Sequence, residues 1–492
     1  MKKKEIKSLL VLMLLPLAIS LSACENKQPS EPSNQPEDKD TEPAEEPVIT
    51  SREFRASIKT DYQGEKSSNY LSYKFDLEDF ANISEEPNKN IARMSILFDA
   101  NISAHAQVQI SNAEHTISGY SDEDNFYKNL DLDGLEKVNV VSSTEVDVND
   151  VSRLNIAHKV FNNRDICFIT IMDSGLGNSW ISNFDVGSDD ESYYSKTGEH
   201  PEWTNKENHK GFDVAGNRIV SLINDYKNRV LDGNSQQIFY IFGHSRGGAL
   251  ANIVGAKLVD LNYQVASYGL ASPAVTTSEN ASADKYKHLY SYVNEDDAIT
   301  NLLSPDWGFT RYGVTYSFSI KDYLTSFKAC NGYDYPTSSS SFDIAGMLTS
   351  LCDGRDGIYQ FSDRFTVATS NALQPSNVQS YIDNMLSPLS GKYEVLRDFV
   401  DFQQTENSDG TIAVKVRACP GFLTVFFGML ISQTTENSST SSLISEFMAL
   451  RTYLNCFMNA AGVKLNDLMG FNMDYFIVNH AFPSYLTYVH IL

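Results

Sequence analysis

Two apolar patterns alternate along the first two thirds of the chain. Ile166 to Met172 and Ile238 to Phe242 are short unbroken runs of β-branched and aromatic residues, and they predict strands buried on both faces. Val265–Leu270 and His288–Val293 predict two more strands, and Ser51 to Phe75 one or two short ones, including Glu53–Thr60. Between them, apolar residues recur at helical spacing. Asn88–Ala104 carries Ile91, Met94, Ile96, Leu97 and Ile102 on one side, and Gly211–Lys227 carries Phe212, Ile219, Val220 and Ile223. After Phe242, residues Ala249, Leu250, Ile253, Val254, Ala256 and Leu258 make the apolar side of another helix. Alternating strands and helices predict an α/β fold with a mostly parallel central sheet. Such sheets hold ligands at the carboxyl ends of their strands.

Residues 318–470 do not continue the alternation. Polar stretches at Pro336–Ser341 and Gln433–Ser442 separate segments of helical character, such as Phe447, Leu450, Leu454, Phe457 and Met458. The pattern predicts a body over 51–317, a largely helical insertion or cap over 318–470, and a return to the body over 471–492. Phe422 to Ile431 is a dense apolar run too short to cross a membrane. It reads either as the core helix of the insertion or as a wall of the binding pocket.

The N-terminus has a different grammar. Lys2, Lys3, Lys4 and Lys7 precede the apolar stretch Leu9–Leu21, which predicts a targeting segment over residues 1–23. It ends Leu21-Ser22-Ala23-Cys24, which resembles the cleavage box of bacterial lipoproteins, where the cysteine becomes a lipidated N-terminus. An ordinary secretory signal with an incidental cysteine is the other reading. The following stretch, residues 24–50, holds five prolines and eight acidic residues and predicts a disordered tether. At about 3.1 Å per residue it would hold the body up to ~80 Å from the outer face of a cell membrane.

Composition narrows the partners. The chain has 492 residues, 41 % of them hydrophobic, and a formal net charge of −24, so a large core is available and nucleic acid is excluded as a partner of the body. Besides Cys24 there are Cys167, Cys330, Cys352, Cys419 and Cys456, an odd number with no closely spaced pair. That argues against a zinc site and against a fully paired disulfide framework, and leaves one disulfide among the last four open. Asp131-Leu132-Asp133-Gly134 echoes a calcium loop but lacks the other ligand positions, so a turn beside a helix is expected. Ser188–Ser192 reads as a solvated acidic loop.

Candidate chemistry centres on Gly243-His244-Ser245-Arg246-Gly247, set between a strand and a helix. That is the setting of a nucleophile elbow, a turn so tight that its flanking positions demand glycine. In folds with this elbow an acid follows the serine and the histidine comes last. Three histidines follow Ser245: His288, His480 and His490. His480 lies in Val478–Pro483, expected to be a loop after a strand, whereas His490 is close to the C-terminus. For the acid, Asp297 in Asn294-Glu295-Asp296-Asp297 closes a predicted strand and precedes two apolar residues.

These stretches resemble the class 3 lipase family, in particular its secreted bacterial branch, over roughly residues 88–315 and the last 25 or so. The resemblance rests on GHSRGGALAN from Gly243, HKGF from His209, ASYGLASPA from Ala266, VNEDDAIT from Val293 and WGFTRYG from Trp307. It implies an α/β-hydrolase fold with Asp297 as the acid, His480 as the base and Tyr485 trailing it. It further implies a lipid or other ester substrate and no metal or organic cofactor. Two positions depart from the family. Asp173-Ser174-Gly175 stands where the family has Arg-Gly-Thr or Arg-Gly-Gly, and Arg246 replaces a leucine. The expected oxyanion donors are the N–H of Arg246 and one from Ser174 or Gly175. The expectation is an extracellular, lipid-anchored ester hydrolase. A non-catalytic lipoprotein that uses the same fold to bind an acylated or cell-wall ligand is the alternative, and acyl transfer or peptide cleavage by the same residues stays open.

Overall fold

Three sheets carry the strands of the computed structural model, which describes residues 50–60, 66–111, 123–141, 151–174, 179–188, 203–336, 343–433, 445, 447–464 and 473–492. Residues 1–49 with Cys24, Gly175, and most of 188–192, 336–341 and 433–442 lie outside these. The first sheet is antiparallel and joins β1 (Ser51–Thr60), β2 (Leu71–Asp76) and β3 (Ala106–Ser111) in the order β2-β1-β3. The main sheet holds β4 (Asp133–Val141), β5 (Val151–Phe161), β6 (Arg164–Ile171), β7 (Gln236–His244), β8 (Gln264–Leu270), β9 (Leu289–Asn294) and β10 (Val314–Phe318). Their spatial order is the sequence order, β10 at one edge and β4 at the other. From β6 to β10 every pairing is parallel, while β5 and β4 join antiparallel.

The unbroken apolar runs follow from burial on both faces. Phe168 of β6 and Tyr240 and Phe242 of β7 belong to the core beneath the helices Lys89–Ile102 and Phe482–Ile491. Their neighbours Cys167, Ile169, Phe239 and Ile241 belong to the opposite core, under the helices Lys210–Arg229 and Arg246–Asp260. Phe98 stacks on Phe242 with ring centroids 4.8 Å apart. Each such fully buried aromatic contributes about 1.5–3 kcal/mol relative to exposure. The result is an α/β-hydrolase arrangement, a mostly parallel sheet between two helical layers.

The stretch 318–470 differs from expectation in two ways. Its beginning belongs to the body: Phe318, Ile320 and Phe327 are buried in the same core as the closing helix Phe482–Ile491. Asn331 ties the two by donating to the Pro483 carbonyl at 3.1 Å and to Thr487 Oγ1 at 3.0 Å. The remainder is not purely helical. β11 (Thr366–Leu373), β12 (Val400–Glu406) and β13 (Ile412–Ala418) form an antiparallel sheet in the order β11-β13-β12. These strands bury one face only, so their apolar positions alternate and make no continuous run; on β13, Val414, Val416 and Ala418 face inward. With the helices Ile344–Leu351, Gly421–Gln433 and Arg451–Ala461 they surround a separate core. Phe422, Leu423, Val425 and Phe426 are all buried there, so the apolar run is chiefly the core of the cap.

Smaller points follow. Cys167, Cys330, Cys352, Cys419 and Cys456 are all buried free thiols. Asp131, at φ 57°, sits in the turn between the helix Glu123–Asn129 and β4, and both Asp131 and Asp133 pair with Lys159. Among the described residues no cluster of three or more His, Cys, Asp or Glu side chains could hold a metal ion.

Candidate active site

The elbow is built from three close approaches. A Cβ on Gly243 would lie 2.1 Å from the Gly247 carbonyl oxygen, one on Gly247 2.2 Å from that of Ile171, and one on Gly248 2.7 Å from that of Leu270. Only glycine fits at these positions: at Gly243 the turn closes on itself, and at Gly247 and Gly248 it is pressed onto the carboxyl ends of β6 and β8. Ser245 therefore adopts φ 55° and ψ −123°, and its N–H donates to the Leu270 carbonyl at 2.9 Å. It precedes the helix Arg246–Asp260 but makes no side-chain capping bond, which leaves the hydroxyl available. The Arg246 N–H is the first of that helix, one of the donors an α-helix does not use within itself.

His480 stands beside the hydroxyl. Its Nε2 is 2.7 Å from Ser245 Oγ, and its Nδ1 is 2.8 Å from Asp297 Oδ2. Asp297 is fully buried and also accepts from Tyr485 Oη at 2.8 Å and, through Oδ1, from the Ile299 N–H at 3.0 Å. Burial first, and then the Asp297 carboxylate, push the Tyr485 phenol well above its ordinary range, so it remains a proton donor. His480 does not lie in a loop after a strand. It is the last residue of the helix Met473–His480, and the helix is interrupted at the extended Ala481 before a second helix begins with Pro483 in its first turn. Phe476 and Ile477 belong to the cap core, whereas Val478 and Phe482 belong to the body core. The imidazole is thus anchored where the two cores meet.

The departures from the family pattern have definite places. The Arg246 guanidinium turns away from solvent and donates to Ser152 Oγ, Ser182 Oγ and Asn183 Oδ1. Asn183 in turn donates to Ser174 Oγ at 2.7 Å, which links the elbow helix to the 173–174 segment. Asp173 is buried; it accepts from Ser103 Oγ at 2.5 Å and from the Ala104 N–H at 3.3 Å, and burial raises its affinity for a proton. Gly175, the other expected donor, lies outside the described residues.

Three supporting residues have roles that the sequence does not assign. Tyr485 was placed by its position alone, without a role. Arg311, within the WGFTRYG stretch, donates to the carbonyls of Ser272 and Thr300, both at 2.8 Å, and burial lowers it to about 10. Asn294 donates to Asn479 Oδ1 at 2.8 Å, joining the acid-bearing strand to the base-bearing helix. Arg311 and Asn294 lay in recognised stretches, but nothing in a linear pattern says what they reach.

A cleft adjoins Ser245. Its walls are mostly apolar: Phe184, Val186, Phe212, Ile299 and Leu303 from the body, with Ile358 and Thr424 from the cap. Buried apolar walls beside a polar reacting group suit a ligand with an apolar tail and one polar centre.

Residues 176–307 match the sequence model of the lipase (class 3) family. No curated protein matches the chain. Among solved structures, a triacylglycerol lipase from Penicillium expansum aligns at 14 % identity, covering 38 % of this chain and 71 % of its own, with a TM-score of 0.26. The lipase of Rhizopus microsporus var. chinensis aligns at 14 % identity over 49 % of this chain and 79 % of its own, with a TM-score of 0.31. For the Lip2 lipase of Yarrowia lipolytica the values are 15 %, 33 %, 61 % and 0.26, so the chain spans less than two thirds of that protein.

Proposed function

Because residues 176–307 match the class 3 lipase family, we propose that the chain is a serine hydrolase of lipid carboxylic esters. Ser245 Oγ attacks the ester carbonyl and its proton passes to His480 Nε2. Asp297 keeps the His480 proton on Nδ1 and stabilises the imidazolium that forms. The Arg246 N–H, with one from Ser174 or Gly175, receives the developing oxyanion. Collapse of the tetrahedral intermediate expels the alcohol, which takes its proton from His480. A water then repeats the sequence on the acyl-enzyme and releases the acid.

The observation that carries this reading is the continuous line of hydrogen bonds from Ser245 through one imidazole to a buried carboxylate. A protein that only bound its ligand would have no use for that alignment. The test is covalent: a fluorophosphonate should label the wild type at Ser245, and p-nitrophenyl esters should be hydrolysed by the wild type and not by Ser245→Ala. Silence of the folded wild type in both assays would favour the ligand-binding alternative.

The proposal includes a location. Cys24, following a basic and then apolar segment, carries a lipid and holds the body at the outer face of the cell membrane through residues 24–50. Among the described residues no helix is long and apolar enough to cross a membrane. Wild type should partition with membranes and Cys24→Ser should not; recovery of wild type from the medium with an unmodified cysteine would end this part of the proposal.

A further inference from the structure

The proposed reaction uses one imidazole, and the residue before the nucleophile carries a second. His244 is 3 % exposed, and its ring stacks on Phe482 with centroids 4.4 Å apart. Its Nε2 lies 2.8 Å from the carbonyl oxygen of His480. A carbonyl only accepts, so His244 bears its proton on Nε2 and leaves Nδ1 bare. That Nδ1 is buried and makes no hydrogen bond; Asp173 Oδ2 stands 4.0 Å away.

The contact answers a need of the other partner. His480 ends its helix, and the last carbonyls of a helix have no intrahelical donor. Here the donor comes from the residue covalently joined to the nucleophile. The bonds close a ring that runs from Ser245 Oγ to the His480 imidazole, along the His480 main chain to its carbonyl, across to the His244 ring, and back to Ser245. Base and nucleophile are therefore tied twice, once by the reacting hydrogen bond and once through the backbone. The 173–174 segment beside them is pinned from behind: Ser103 and Ala104 hold Asp173, and His105 Nε2 donates to the Ser174 carbonyl at 3.1 Å.

We propose that His244 is a positioning residue for the base: its Nε2–H holds the main chain of His480 so that the imidazole stays in register with Ser245. The proposal rests on the hydrolase reading given above. The titratable groups around the ring are Asp173, His105, His480 and Tyr485, and Asp99 neighbours Asp173. Burial, together with the like-charged form of His480 and of His105, holds His244 neutral well below its ordinary range, as a steady donor requires.

Two substitutions separate donation from packing. Phenylalanine at 244 keeps a ring on Phe482 and removes the donor. Glutamine loses the ring but offers an amide N–H near the place of Nε2. If His244 positions the base, His244→Phe should lower kcat by about 30-fold with KM unchanged, and His244→Gln should stay within about fivefold of wild type. A fully active His244→Phe, or equal losses in both variants, overturns the proposal. A measurement on the wild type covers the case in which neither variant folds. The nitrogen spectrum of histidine-labelled protein should show His244 bare at Nδ1 and protonated at Nε2 from about pH 7 to about pH 9. A proton on Nδ1 in that interval overturns it. Because the spectrum needs no turnover, failure of this inference is distinguishable from failure of the hydrolase reading, which the fluorophosphonate test decides.

Discussion

The strain at Ser245 can be measured by comparing two inactive variants. At φ 55° and ψ −123° a Cβ crowds the backbone, and glycine alone is at ease. Holding another residue in such a region costs about 1–3 kcal/mol. Ser245→Gly removes that cost but adds about 0.5–1 kcal/mol for the greater backbone freedom of an unfolded glycine. Ser245→Ala keeps the Cβ and the strain. Both variants lose the hydroxyl and its bond to His480, so that contribution cancels between them. At the middle of these ranges the glycine variant should therefore be the more stable by about 1 kcal/mol, and by no more than about 2.5 kcal/mol. Equilibrium urea unfolding reads this as a higher midpoint at an unchanged slope, with both proteins inactive toward esters. A glycine variant no more stable than the alanine one would refute the reasoning. It would mean that the contacts imposing the turn, the Leu270 carbonyl and the close-packed Gly243, Gly247 and Gly248, do not load the serine.

Further outcomes are expected at the base, at His490 and in the cap. Ser245→Ala, His480→Ala and the double variant should share one residual rate, because nucleophile and base act as a unit. His490→Ala should stay within about tenfold of wild type in kcat/KM, since its Nδ1 donates to the Leu486 carbonyl and its ring packs edge-on to Tyr73, away from the serine. In the cap, Phe426→Ala should destabilise by about 3–5 kcal/mol, because Phe426 is fully buried in the cap core; Thr424→Trp, on the cleft wall, should instead lower hydrolysis of long-chain esters more than short ones, and equal loss for every chain length would exclude Thr424 from the acyl path. Burial lowers His490 from its ordinary 6.5 to about 4. A depressed histidine favours the fold while it is neutral, so its contribution is present above pH 6.5 and is lost as the pH falls toward 4, by up to about 3 kcal/mol. His490→Gln should flatten that part of the stability profile, and an unchanged profile would show that other groups set it.

Much of the body was legible because its constraints are local. A strand buried on both faces must be apolar throughout, and β6 and β7 announce themselves for that reason. The helix Lys89–Ile102 carries its own cap, Asn88 Oδ1 accepting from the N–H groups of Asn90 and Ile91. The cap was harder to read: β11 to β13 are short, half-exposed and alternating, and their pairing joins residues from 366 to 418 that no local pattern connects. His480 follows from chain order and the resemblance, yet the loop expected around it is a helix end, because Pro483, which cannot continue a helix, here stands in the first turn of a new one.

What the sequence determined by itself is the set of groups and the turns that permit them. The glycines at 243, 247 and 248 make an elbow possible at one serine, and chain order confines the remaining chemistry to a few carboxylates and three histidines. Only the tertiary structure decided which of these meet. Ser245 and His480 are 235 positions apart, and their contact depends on two hydrophobic cores closing around one helix end. Hydrogen bonds act over about 3 Å, and no spacing along a chain encodes that distance across separate elements. The same holds for Tyr485 on Asp297, for His244 beneath His480, and for the inward turn of Arg246. Each is a choice of partner made when apolar faces pack, and packing is a property of the assembled fold.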